Sequence, residues 1–190
     1  MLELEEVARR LNRTGIRWAV FAGAAAKAYG ATRPLTDVDI LVPADEAARA
    51  EALFPEARVR QYEDGQQGLL LPGIDILTGL ALMDLDEEMA ARLTRAEIAG
   101  IPVPVIPAED NILLKAMWGR GAEVGKHDWE DVEVMMARLE RLDWDYLRWR
   151  AASLFPSEQV EQMLQQLERL WARKSSDRPA EIEESEARDG

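Results

Sequence analysis

The chain has 190 residues, 47% of them hydrophobic, a formal net charge of −13 and no cysteine. That length fits one domain, or one domain with a helical appendage, and the apolar fraction suffices for a sizeable core. Disulfides and thiolate metal sites are excluded. The negative charge argues against broad, sequence-independent nucleic-acid binding, which needs a cationic face, and favours a small-molecule, cationic or protein substrate over a long RNA. The start, Met1 to Glu6, lacks a basic region and an apolar signal core, and no apolar run approaches membrane-spanning length. A soluble cytoplasmic protein is expected.

In chain order, Leu2 to Leu11 predicts an amphipathic helix with Leu4, Val7, Ala8 and Leu11 on one stripe. Arg17 to Ala22 predicts a buried strand. Gly23 opens a small-residue helix that Gly30 closes. Asp37 to Val42 is a strand, and Asp45 caps a helix through Leu53. Arg58 to Tyr62 is a strand, Glu63-Asp64-Gly65 a turn, and Gly68 to Leu71 and Ile74 to Leu77 are short strands. Leu85 to Leu93 is a weaker helix, and Arg95 to Ile106 holds strand segments. Helices follow at Pro107 to Trp118, Trp129 to Leu142, Asp143 to Leu154, and from Pro156 onward. The segment from Ser175 carries six acids and two arginines and is expected to be disordered. The expected division is a core at 1–106, a helical part at 107–174 and an acidic tail at 175–190.

The chemistry concentrates in Asp37-Val38-Asp39-Ile40-Leu41-Val42. Residues two apart on a strand share a face, so Asp37 and Asp39 sit side by side at a strand end. Like charges that close repel unless a cation neutralises them. A hard, oxygen-seeking ion such as Mg²⁺ is the natural partner, because it binds through one or two carboxylates plus substrate phosphates. Asp75 lies in a second apolar run, Gly73 to Leu77, where an unpaired acid is unfavourable. Three acids on neighbouring strands can bridge two metals, the arrangement that supports in-line displacement at phosphorus.

An apolar strand, a Gly-small turn, a short helix, Arg33-Pro34-Leu35-Thr36-Asp37-Val38-Asp39 and a later Asp strand resemble the nucleotidyltransferase superfamily, with its DNA polymerase β-like fold. Two downstream segments, Pro107 to Trp118 and Lys126-His127-Asp128-Trp129-Glu130-Asp131-Val132, resemble its minimal bacterial and archaeal branch, which includes toxin–antitoxin and abortive-infection nucleotidyltransferases. The resemblance spans roughly residues 1 to 140. It departs from the family at Ala24, where the turn carries Gly or Ser. It implies an α+β fold: a small mixed β-sheet with flanking helices and a helical C-terminal part. It implies a metal-dependent transfer of a nucleoside monophosphate from a nucleoside triphosphate to an acceptor hydroxyl.

On that reading Asp37, Asp39 and Asp75 are catalytic and hold two Mg²⁺ ions, with Mn²⁺ as an alternative. Gly23, Ala24, Arg33, Lys115 and Lys126 bind the nucleotide. The acceptor is an RNA end, a small molecule or a protein, and a homodimer or a partner protein is envisaged. The competing readings are plainer. Lys115 can pack its stem on the core, Asp128 can serve as a helix N-cap, and the tryptophans can be core residues. The alternative function is a non-catalytic nucleotide- or protein-binding module on the same fold.

Overall fold

The computed structural model describes residues 3–62, 66–80 and 83–177, with side chains to residue 174. The turn expected at Glu63-Asp64-Gly65 and the acidic stretch from Arg178 lie outside the described residues. Seven strands form one mixed sheet: β1 (Ala19–Val20), β2 (Val38–Val42), β3 (Arg58–Gln61), β4 (Gln67–Leu71), β5 (Ile74–Thr78), β6 (Thr94–Ile98) and β7 (Ile101–Val105). Their order across the sheet is β3-β4-β5-β2-β1-β7-β6. The β2–β5 and β1–β7 pairs are parallel and the others antiparallel. The class is α+β, as expected from the sequence.

The helices are α1 (Leu4–Thr14), α2 (Ala22–Ala28), α3 (Ala47–Leu53), α4 (Glu87–Ala90), α5 (Ala108–Trp118), α6 (Asp128–Arg138), α7 (Trp144–Leu154) and α8 (Ser157–Asp177). α1 buries Val7, Ala8 and Leu11, the stripe its spacing predicts, and ends at Gly15, whose φ of 69° suits glycine. Asp143 caps α7 by accepting the Tyr146 N–H at 3.0 Å. Asp45 caps nothing, contrary to expectation. A 3-10 turn at Ala44–Glu46 precedes α3, and the Ala44 N–H turns to the Asp84 carboxylate instead. The expected helix from Leu85 shrinks to the four residues of α4, capped by Asp86, because the chain leaves it for the edge strand β6. Trp149, read as core, is 49% exposed. α8 runs to Asp177, past the composition boundary at Ser175.

α5 is the central helix. It buries Ile112, Leu113, Leu114 and Ala116, and with them three polar residues, Asp110, Asn111 and Lys115. Buried polar groups need partners, and each of these residues has one, although Asn111 Oδ1 accepts no hydrogen bond among the described residues. Asp110 accepts Arg150 Nε at 2.8 Å and the Tyr146 hydroxyl at 2.7 Å, and Arg150 also pairs with Asp86. One buried ion network thus joins α5, α7 and the start of α4. The Asn111 amide donates to the Ala22 carbonyl at 3.1 Å. Lys115 pairs with the first turn of α6.

Candidate active site

The parallel pairing of β2 with β5 sets Asp39 directly beside Asp75 in register. Asp37 stands one residue before β2, on the same face as Asp39. The three carboxylates offer ligand oxygens that all lie within 4.8 Å of one another, and all three residues are half-buried. Two apolar β-strand ends thereby concentrate three negative charges. Burial, then the charges of Asp37 and Asp75, push the Asp39 carboxyl up to about 7, against the opposing pull of Lys126 and Lys115. Burial and Asp37 also raise Asp75, while Arg60 and Lys126 act the other way. Among the described residues no cation forms an ion pair with any of the three. A cluster of oxygen donors whose negative charge lacks an internal counter-ion fits a hard divalent cation. Asp37, Asp39 and Asp75 are the residues that would hold it.

The acids lie where two cavities meet. A cleft of about 500 Å³ is lined by all three acids together with Phe21, Trp118, Arg60 and Tyr62. A smaller cavity of about 300 Å³ is lined by Asp37 and Asp39 together with Gly23, Arg33, Lys115 and Lys126. Ala22, Asp37, Asp39, Arg120 and Lys126 border both. The structure therefore brings Asp37, Asp39, Asp75, Gly23, Arg33, Lys115 and Lys126 to one place.

Ala24 is the exception among the predicted site residues. Its methyl is fully buried and lines neither cavity. It lies in the first turn of α2, whose Ala22 and Gly23 line the smaller cavity in its place. The conformation that favours glycine falls on Ala22 instead, at φ 51°. A left-handed alanine costs about 1–2 kcal/mol. It is held there because Phe21 N–H donates to the Asp39 carbonyl and Asn111 grips the Ala22 carbonyl. The β1 strand is cut short for the same reason, ending at Val20 where Arg17 to Ala22 was expected. Ala22→Gly is expected to stabilise the fold by about 0.5–1 kcal/mol, strain relief outweighing glycine's greater unfolded-state freedom. Urea unfolding would measure it, and a loss of stability would show that Ala22 is unstrained.

The cations are less free than the sequence suggests. Lys115 Nζ lies 3.1 Å from Asp128 and 2.8 Å from Asp131, with the lysine side chain only 4% exposed. Arg33 Nη2 donates to both Asp131 oxygens at 2.8 Å. Arg120 Nε donates to Asp128 at 2.8 Å, and its guanidinium stacks 4.1 Å from the Trp118 ring centre. Asp128, expected as the N-cap of α6, is inside the helix at its first residue, with His127 preceding it, and is 1% exposed. Burial raises its carboxyl, but Arg120 and Lys115 outweigh that and hold it below the usual range. Three cations, Arg33, Lys115 and Arg120, surround the buried Asp128 and Asp131, with the exposed Glu130 at 3.9 Å from Arg33, and all three cations border the smaller cavity. Lys126 forms no ion pair among the described residues and is exposed. Lys115→Met removes one of two cationic partners from each buried carboxylate, which keep Arg120 and Arg33, and is expected to destabilise by about 1.5–3 kcal/mol in urea unfolding. A change under 1 kcal/mol would show that the network contributes little to the fold.

Arg60, Tyr62, Arg120 and Trp118 were not found from the sequence. Arg60 and Tyr62 belong to an edge strand and its exit, with a polar alternation that marks only solvent exposure. Arg120 is visible only as a residue eight positions before its partner, Asp128.

A mixed sheet that sets three acids at adjoining strand ends, beside a small-residue helix start, defines the nucleotidyltransferase fold. The chain belongs to the family described as nucleotidyl transferase of unknown function (DUF2204), which matches residues 1–169. Among solved structures it is similar to an antigenic nucleotidyltransferase-like protein from Paracoccidioides brasiliensis, at 18% identity and a TM-score of 0.53, over 91% of this chain and 88% of that one. It is also similar to a protein from Thermotoga maritima assigned as a nucleotidyltransferase, at 19% identity and a TM-score of 0.50, over 64% of this chain and 85% of that one. At these identities the shared property is the fold. No curated protein matches the sequence.

Proposed function

We propose that the protein transfers a nucleoside monophosphate from a nucleoside triphosphate to an acceptor hydroxyl, with divalent metal held by Asp37, Asp39 and Asp75. The observation that carries this reading is the convergence of the three acids, within 4.8 Å, at the border of two cavities. Bound divalent ions would neutralise the acids and the phosphate charge and supply Lewis acidity at phosphorus.

The chain's own residues supply the rest. The smaller cavity takes the triphosphate: Arg33 and Lys126 face it, with Arg120 at its edge, and the first-turn amides of α2 close one side. Lys115 acts from behind, tied to Asp128 and Asp131. The α-phosphorus then lies beside Asp37 and Asp39, the acids common to both cavities. In-line displacement needs the entering and leaving oxygens on opposite sides, and the two cavities offer them. Asp75 borders only the larger cleft. It is placed to orient the acceptor hydroxyl and take its proton as the bond to pyrophosphate breaks. Most of the rate would come from positioning and charge neutralisation.

A setting in a toxin–antitoxin or similar defence pair, acting in the cytoplasm, is part of the proposal. It is supported by the resemblance of the α5 and Lys126 to Val132 segments. Among the described residues no helix is long and apolar enough to cross a membrane. The reading is tested by thermal denaturation with each nucleoside triphosphate, with and without Mg²⁺. A ligand bound only by the folded state raises stability by about 2.7 kcal/mol at 100 times its Kd. Incubation of cell extract with labelled nucleotide then identifies the acceptor. Absence of any Mg²⁺-dependent nucleotide stabilisation would overturn the enzyme reading in favour of a protein-binding module.

A further inference from the structure

On the nucleotidyl-transfer reading the larger cleft would hold the reacting end of the acceptor, and its walls would restrict what that acceptor is. Asp75 borders this cleft and not the smaller cavity. Away from the acids, the wall is built from Phe21, Leu80, Met83, Met117, Trp118 and Phe155. Trp118 is the half-buried ring of this wall, with the buried Phe21 ring tilted against it at 6.5 Å between ring centres. A volume of about 500 Å³ suits a drug-sized molecule.

The polar lining is one-sided in charge. Besides the three acids, which metal would neutralise, the described lining residues include no carboxylate. They do include Arg60, Arg120 and Lys126. The Arg60 guanidinium rests 4.8 Å from the Tyr62 ring centre and forms no ion pair among the described residues. Arg120 is fixed on Trp118 by its bonds to Asp128. Among the described lining residues, a cationic acceptor would meet Arg60, Arg120 and Lys126 and no carboxylate other than the three acids that metal would neutralise. A flat apolar body with neutral or anionic substituents would stack on Trp118 and face the arginines.

Resting on the nucleotidyl-transfer reading above, we infer that the acceptor is a small hydroxyl compound with a flat, apolar body and no positive charge, seated between Trp118 and Arg60. Its hydroxyl oxygen forms a bond to the α-phosphorus, the bond from that phosphorus to pyrophosphate breaks, and the hydroxyl proton passes to Asp75.

The test uses the full chain with Mg²⁺ and a non-hydrolysable ATP analogue. Three benzyl alcohols serve as probes, differing only in the para substituent: carboxylate, carboxamide and aminomethyl. Ligand-observed NMR titration reads their binding, and thermal denaturation reads nucleotide binding separately. The carboxylate and carboxamide are expected to bind at least ~10-fold more tightly than the amine, consistent with one unpaired arginine near the ligand. Leu80→Trp, which fills the cleft, is expected to remove probe binding while the nucleotide shift persists. Arg60→Glu, on an exposed strand that tolerates substitution, is expected to erase the preference for the carboxylate.

Tightest binding by the amine, or probe binding unaffected by both variants, would overturn the inference while the nucleotide shift stands. Displacement of the probes by a short single-stranded RNA, bound more tightly through its 3′ end, would overturn it in favour of a nucleic-acid acceptor. Loss of the nucleotide shift in the unmodified protein would overturn the reading beneath it as well.

Discussion

Replacing Asp37 and Asp39 together with asparagine is expected to abolish Mg²⁺-dependent nucleotide stabilisation. Asparagine keeps the side-chain shape but removes two of the three charges that draw the cation to this strand end. The ~2.7 kcal/mol gained at 100 times Kd should vanish. Without metal the sign reverses, and Asp39→Asn alone should stabilise. The Asp39 carboxyl is raised to about 7, first by burial and then by Asp37 and Asp75. A carboxyl raised in the folded state binds its proton there more tightly than in the unfolded chain, where its pKa is about 4. Metal-free stability therefore falls as pH rises from about 4 to about 7, and the loss is complete above that. Asparagine has no charge to bury. Its advantage should be absent below pH ~4 and reach about 1–2 kcal/mol above pH ~7, a part-exposed carboxylate realising only part of the shift. Denaturation at pH 4, 6 and 8 in chelator checks the slope, and calorimetry with nucleotide and Mg²⁺ checks the site. Wild-type nucleotide affinity in the double variant would remove the metal from these acids.

Asp75→Asn should separate binding from chemistry. Asp75 reaches only the larger cleft, whereas Asp37 and Asp39 also border the phosphate cavity. Nucleotide affinity should therefore be largely retained, while transfer falls at least ~100-fold, an interaction lost mainly in the transition state. Pyrophosphate release in single-turnover conditions, beside a nucleotide titration, gives both numbers. Equal losses in binding and turnover would place Asp75 with the nucleotide rather than with the acceptor. Normal turnover would leave a two-carboxylate centre.

The acids were legible in the sequence because their signal is local. Alternation along Asp37 to Val42 fixes which residues share a face, and the apolar flanks of Asp75 mark a second buried strand. Their adjacency is not local. It follows from the parallel pairing of β2 with β5, across an intervening helix and two antiparallel strands. The roles of Lys115 and Asp128 were hidden for the same reason. A lysine on an apolar helix reads as a snorkelling surface residue, and an acid at a helix start reads as a cap. Only the packing of α5 on α6 makes them one buried ion pair. Ala22 was missed because nothing in the identity of an alanine announces a left-handed backbone. The glycine beside it drew the expectation, while the strain lies one residue earlier.

The network of Asp110, Arg150, Asp86 and Tyr146 has a bearing on how the chain is made. Asp110 is fully enclosed, and its counter-ion is encoded 40 residues later. At ribosomal speeds of roughly 5–20 residues per second, that interval is about 2–8 seconds. Throughout it, the nascent sheet and α5 hold a carboxylate that has no charge partner and resists being enclosed. Settling of α5 against the sheet is thereby expected to wait until α7 has been synthesised. A chain released early, before Arg150, would keep its acid triad but lack the cation that lets α5 settle against it.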